Sequence, residues 1–159
     1  NFLVVVRALC YCLTLGPEGI VQAAHMAVLN ANYVRVRLSE AYKMAYEETC
    51  MHEFVMTLQP EKETMGIIAV DVAKALLDYG IHPPTMYFPL IVHEALMIEP
   101  TETESMENLD ELAEAFLEIH RKAQEDPEWI RTAPHTTPIT RLDEVGAARN
   151  PRLHYEFTR

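Results

Sequence analysis

Two histidine–glutamate pairs, His52-Glu53 and His93-Glu94, are the residues of this 159-residue chain that most invite a chemical reading. On a helix, His-Glu-x-x-His sets two imidazoles on one face to bind zinc, with the glutamate as base. Here the positions four residues on are Met56 and Met97, so neither pair has its second imidazole and no metal site is expected. Cys50 and His52 lie two apart and would share one face of a strand. A structural cysteine beside a hydrogen-bonded histidine accounts for them better than a catalytic dyad. The five scattered glycines form neither GxGxxG nor GxxxxGK[ST], so a nucleotide-phosphate loop is excluded. "APHTTP" (133–138) sets His135 between prolines, either as an exposed turn or as a stiff loop presenting an imidazole to a pocket. "ALMIEPTETES" (95–105) turns an apolar run into carboxylates and hydroxyls. Thr103 and Ser105 suit helix caps, and the acids suit a helix N-terminus. That leaves Glu99-Pro100-Thr101 less well explained, because a carboxylate ending an apolar strand tends to be desolvated.

The elements that must position these residues follow from periodicity. Residues 2–15 read as a buried helix ending at Gly16, and Pro17 opens a second helix in which Ile20, Ala23, Ala24, Ala27, Ala31, Val34 and Leu38 form one small-residue stripe. "CMHEFVMTL" (50–58) reads as a half-buried strand and "PEKET" as a polar connection. Thr64 is the expected cap of a third helix with Ile68, Val72, Leu76 and Tyr79 inward, closed by Gly80. Strands are expected around "MYFPLIV" and "ALMIEP", with His93 and Glu94 at the bend between them. Pro89 confines the first of these to an edge or a bulge. Ser105 caps a last helix over 106–124, whose apolar stripe is Leu109, Leu112, Ala113, Phe116 and Ile119. Beyond Pro127, the prolines at 134, 138 and 151 predict an extended tail ordered only by lying along something else.

This order predicts an α+β two-layer sandwich, with mostly antiparallel strands and helices on one face. Residues 1–40 are expected to be connecting helices, 41–126 the α+β domain and 127–159 the extended tail. Asn1 is not a methionine and the chain opens inside an apolar segment, which reads as a piece of a longer polypeptide. Phe2, Leu3, Val5 and Val6 would then have packed on missing sequence or a second subunit, so the piece by itself is expected to associate.

Composition narrows the partners. With 24 acidic and 13 basic residues the formal charge is −11, which repels phosphate backbones and anionic lipid and argues against nucleic acid and membrane surfaces. The apolar start, "FLVVVRALCYCLTL", is shorter than the roughly 20 residues of a spanning helix and carries Arg7. Three cysteines, Cys10, Cys12 and Cys50, form no ladder of spacings, and free thiols in a reducing cytoplasm are the simpler reading.

Taken in order, "CMHEFV", "AVDVAKALLDYGIHPPTMYFPL", "ALMIEPTETES", "APHTTP" and "RLDEVGAAR", with "LGPEG" and "ANY" ahead of them, resemble the C-terminal part of the glycine cleavage system P-protein. This is the decarboxylating glycine dehydrogenase family, and the likeness is nearer to subunit 2 of its two-subunit form. The resemblance implies the small C-terminal domain of a pyridoxal phosphate enzyme of the aspartate aminotransferase-like fold type I. It implies glycine decarboxylation, with transfer of the aminomethyl group to the lipoyl arm of H-protein, and glycine dehydrogenase subunit 1 as companion in an oligomer. The family's lysine for pyridoxal phosphate lies in a Ser-x-His-Lys-Thr type motif. None of Lys43, Lys62, Lys74 and Lys122 has that context, so the fragment alone is expected neither to hold the cofactor nor to decarboxylate glycine. The polar positions matching family motifs, His52, Glu53, Glu99, Thr101 and His135, are expected to line one wall of the cleft. The alternative is a stand-alone α+β interaction or ligand-binding domain without catalysis.

Overall fold

The computed structural model describes residues 1–155 and 157. Its first element, α1 (Phe2–Leu38), joins the two expected helices into one run broken at Gly16, whose φ of 66° and ψ of 179° are not helical. Only a residue without Cβ adopts this backbone cheaply, and Pro17 restarts the helix at once. Joined across Gly16, α1 holds a stretch long and apolar enough, by length and composition alone, to cross a bilayer. The expectation that the apolar start is too short holds for its first half only. That first half leaves Phe2, Leu3, Val5, Leu9 and Leu13 exposed. The second half sends Ala31, Val34 and Leu38 into the core, so the segment expected merely to connect also builds the packed body.

Four short strands follow: β1 (Lys43–Met44), β2 (Phe54–Thr57), β3 (Thr85–Met86) and β4 (Ala95–Ile98). They form one antiparallel sheet in the order β1-β2-β4-β3. In its centre Phe54 lies opposite Ile98 and Met56 opposite Leu96. Alternation puts these four on one face, and all four are buried. Strand β1 has no counterpart among the predicted strands. The predicted strand at 50–58 is shorter, because residues 50–53 bend instead of pairing. Likewise the predicted strand at "MYFPLIV" stops at Met86 on the sheet edge. Tyr87 donates a last rung to the Ala95 carbonyl and turns to a φ of 57°. Pro89 has no N–H to continue the ladder. Leu90 and Ile91 then stand 84% and 81% exposed.

The helices cover the core face. "PEKET" is part of α2 (Gln59–Met65), which starts with proline at a first-turn position. Thr64 caps nothing; its hydroxyl donates to the Pro60 carbonyl at 2.7 Å. The helix that follows, α3 (Ala69–Asp78), starts at Ile68, whose N–H donates to Asp71 Oδ2 at 3.0 Å. It ends before Gly80, at a φ of 71°. Next, α4 (Met106–Glu125) is capped by Ser105 Oγ, which accepts from Asn108 N–H at 3.3 Å. Leu109, Ala113, Phe116 and Ile119 form its buried stripe. Phe116 meets Tyr42 edge-on at 6.0 Å, and the Tyr42 hydroxyl donates to the Phe116 carbonyl at 2.7 Å.

The expected extended tail is wrong for two segments, α5 (Pro127–Thr132) and α6 (Glu144–Arg149). Asp126 caps α5 through Trp129 N–H, and Ile130 and Ala133 enter the core. In α5 local capping and burial of Ile130 outweigh the scattered prolines; α6 buries nothing and has only its Asp143 cap on Gly146 N–H. Arg141 ties the chain down: it pairs with buried Asp71 at 2.9 Å and donates to the Ala133 and Ile130 carbonyls. Replacing Arg141 by methionine leaves Asp71 without its charged partner. Urea unfolding should show a loss of about 2 kcal/mol, well beyond an ordinary surface substitution.

Candidate functional site

Antiparallel pairing of β2 with β4 brings the entrance of one strand beside the exit of the other. Four of the five expected site residues belong to these two segments. His52 sits in the bend before β2, with Nε2 at 3.8 Å from Glu53 Oε2 and 4.0 Å from Glu99 Oε1. These separations exceed direct hydrogen bonds, and all three side chains reach solvent, so Coulomb attraction here contributes about 1 kcal/mol or less. An imidazole flanked by two carboxylates can nevertheless hold or release a proton, directly or through one bridging water. Pro100, next to Glu99, is buried. The Thr101 hydroxyl shares a hydrogen bond with Thr103 at 2.7 Å, and its carbonyl accepts from the buried Asn30 amide at 2.9 Å. Thr103 therefore partners Thr101 rather than capping α4.

Glu99 and Thr101 also rim a cleft of about 540 Å³ between the 80–85 loop and the first half of α4. Ile81, Pro83, Ile98 and Leu112 give it an apolar lining, and Glu99, Glu104 and Glu111 an acidic edge. Such a site favours a ligand with an apolar body and a neutral or cationic group.

His135 lies elsewhere, past α5 at the other end of α4. Its ring stacks on Trp129 with centroids 4.5 Å apart, and Lys122 sits 4.2 Å over the same indole. Asp78 Oδ1 accepts from His135 N–H, Thr136 N–H and the Thr136 hydroxyl, each within 2.9 Å. Burial alone would raise the Asp78 carboxyl, but the Thr136 and His135 donors outweigh it and hold it below its ordinary value. The loop is thus an exposed turn anchored by Asp78, and His135 rests on Trp129 rather than lining the cleft beside β4. His135 Nε2 lies 2.9 Å from the Trp129 carbonyl, which can only accept. The neutral ring therefore carries its proton on Nε2, and Nδ1 is an acceptor.

Cys50 does not form a nucleophilic pair with His52. Burial pushes its thiol above the ordinary value, which outweighs the opposing effect of Arg35. A protonated thiol is a weak nucleophile. Cys10 and Cys12 are exposed and free. Among the described residues no group of three or more His, Cys, Asp or Glu side chains is placed to hold a metal.

Several functional groups have no obvious motif. Glu94, the partner residue in the second His-Glu pair, is buried; it receives Lys62 Nζ at 2.6 Å and the Ala69 N–H at 3.0 Å. Buried Glu61 and half-buried His120 lie 3.7 Å apart, and burial raises the carboxyl and lowers the imidazole. Asn30 and Asn32 could have been noticed as asparagines inside a helix, where that residue is disfavoured.

Pyridoxal phosphate needs a lysine amine free to bond its aldehyde. No lysine lines the cleft. Lys62 is held protonated by its hydrogen bond to Glu94, which raises it further. Lys122 donates to the Tyr79 hydroxyl at 3.2 Å and lies over Trp129. Lys43 is on strand β1 and Lys74 on α3. With no lysine among them, the residues that line the cleft do not fit that cofactor.

A family model described as the C-terminal domain of glycine dehydrogenase matches residues 23–135. Probable glycine dehydrogenase (decarboxylating) subunit 2 of Treponema denticola is 55% identical over 156 residues, covering 98% of this chain and 32% of that protein. The protein of the same name from Caldanaerobacter subterraneus is also 55% identical, over 155 residues and the same shares. This chain thus spans about a third of the length of these relatives. Among solved structures, an inhibitor-bound glycine decarboxylase (P-protein) of the glycine cleavage system matches with a TM-score of 0.59 and 25% identity, over 69% of this chain and 24% of that one. With that match spanning most of its length and the α+β architecture shared with a solved P-protein, this chain belongs to the glycine dehydrogenase C-terminal domain family.

Proposed function

We propose that this chain is the C-terminal third of a glycine decarboxylase, which releases CO₂ from glycine and passes the aminomethyl group to the lipoyl arm of H-protein. The single observation that supports this most is the 55% identity to decarboxylating glycine dehydrogenase subunits over nearly the whole chain. In this reading pyridoxal phosphate is held by sequence outside the chain and acts as the electron sink. The chain supplies one wall of the cleft, with His52, Glu53, Glu99 and Thr101 on it and His135 on a second, anchored loop. The full-length protein works in the cytoplasm with glycine dehydrogenase subunit 1, in an oligomer.

The exposed apolar half of α1 supports a large covering partner, since such a surface is costly in water. An interaction domain would expose such a surface too, so the identity to glycine dehydrogenase subunits is what favours the enzyme reading.

The test is glycine-dependent exchange of labelled bicarbonate into the glycine carboxyl. The full-length protein with subunit 1 and lipoylated H-protein should catalyse it, and residues 1–159 alone should not. A complete assembly that shows the cofactor's visible absorbance but no exchange would overturn the proposal.

A further inference from the structure

We infer that Asn30 and Asn32 of α1 are positioning residues that set the separation between the segment carrying His52 and Glu53 and the segment carrying Glu99 and Thr101. The kinetic part of this inference rests on the proposed function; the geometric part stands without it.

Asparagine is a poor helix former because its amide competes for backbone hydrogen bonds. Two of them within three positions of α1 therefore need a reason, and the structure supplies one for each. Asn30 is 3% exposed and donates Nδ2 to the Thr101 carbonyl at 2.9 Å. Asn32 grips Cys50 from both sides: its Nδ2 donates to the Cys50 carbonyl at 2.7 Å, and its Oδ1 accepts the Cys50 N–H at 3.0 Å. The same Nδ2 also donates to the Val28 carbonyl at 2.9 Å. Both asparagines bind main chain, so they place the chain itself rather than one side chain.

Their targets are symmetrically placed. Cys50 lies two residues before His52, and Thr101 two residues after Glu99. The β2–β4 ladder ends at the Phe54–Ile98 pair, so neither segment has sheet pairing to hold it. Helix α1 takes over that task. It is itself seated against α4, where Arg37 and the Tyr33 hydroxyl both reach Asp110 Oδ1. Tyr11 adds a further tie by donating to Glu102 Oε1 at 3.2 Å. His52 is thereby kept just beyond direct hydrogen-bond reach of Glu99 on the other segment, a spacing of 4.0 Å that admits a bridging water or a substrate group.

A misplacement of about 1 Å in a reacting group can cost on the order of a hundredfold in rate. In the full-length protein, Asn30→Ala and Asn32→Ala should each lower kcat for bicarbonate exchange at least tenfold, with KM for glycine changed less than about threefold. Asn32→Asp keeps the acceptor for the Cys50 N–H but sets a carboxylate oxygen against the Cys50 and Val28 carbonyls, so it should show the loss as well. In ¹³C-histidine-labelled full-length protein, the His52 ring signal, assigned through His52→Gln, should shift in both alanine variants and in Asn32→Asp. If the alanine variants do not fold, Asn30→Ser and Asn32→Ser take their place, since serine is too short to span either contact. Unchanged kcat and an unmoved His52 signal in folded variants would overturn the inference. A loss confined to KM, or to thermal stability with the His52 signal in place, would overturn it too. Should the wild-type assembly lack exchange altogether, the proposed function fails, and the ring signal alone still decides whether the asparagines position His52.

Discussion

Glu94→Ala is expected to destabilise the protein by about 2–4 kcal/mol, which urea or thermal unfolding would measure directly. The side chain is small, but its surroundings are not forgiving. The Ala69 N–H at the start of α3 is buried and has the Glu94 carboxylate as its acceptor at 3.0 Å. Removing that acceptor charges the fold the desolvation of a buried donor. Lys62 loses its partner at the same time. Glu94→Gln keeps an acceptor oxygen and should cost less than the alanine variant. If the two variants were equally stable, the acceptor oxygen would be irrelevant at this position, and only the lost charge would remain to explain the effect. The pH dependence has a definite sign. Burial would raise the Glu94 carboxyl, but the Lys62 and Ala69 hydrogen bonds and the Lys62 charge outweigh it, and the folded value lies below the ordinary 4.5. The stabilisation is therefore fully present above about pH 4.5 and is lost as pH falls through the lower, folded value. The gap in stability between wild type and Glu94→Gln should close on acidification through that window.

The second large effect concerns rate rather than stability. In the full-length assembly, His52→Ala should lower kcat by about a hundredfold, the range of a lost general acid or base. Its own stability change should stay within about 0.5 kcal/mol, because the imidazole is more than half exposed and makes no close hydrogen bond. Glu99→Gln should lower kcat less, since Glu53 remains on the other side of the ring. Full activity in a folded His52→Ala variant would remove the imidazole from the chemistry and leave the cleft beside β4 as a binding surface only.

The contrast between these two glutamates explains how far the site could be read before the fold was known. Glu99 stood out because it ends an apolar strand next to proline, where a carboxylate is expected to be desolvated, yet its side chain is 56% exposed at the rim of the cleft. Glu94 sat in an equally visible His-Glu pair, yet its role depends on Lys62, 32 residues earlier, and on the start of another helix. The proline-stiffened turn at His135 was legible, but its anchor, Asp78, is 57 residues away and carries no local mark of that task.

By itself the sequence determined what depends on near neighbours. The stripe of α4, its Ser105 cap, the break at Gly16 and the stop at Gly80 all follow from a few adjacent side chains and from backbone angles only glycine takes cheaply. The ordered motifs also carried the family, because they preserve residue identities along the whole chain. Tertiary structure alone decided the rest. Two-residue strands such as β1 exist only because a longer neighbour offers its edge, and at Cys50 both main-chain hydrogen-bonding groups are taken by Asn32 instead of a ladder. Which carboxylates are buried, and which imidazole stands between two of them, are set by contacts between segments far apart in the chain. Such contacts form only when a core has already brought the segments together, so local spacing cannot encode them.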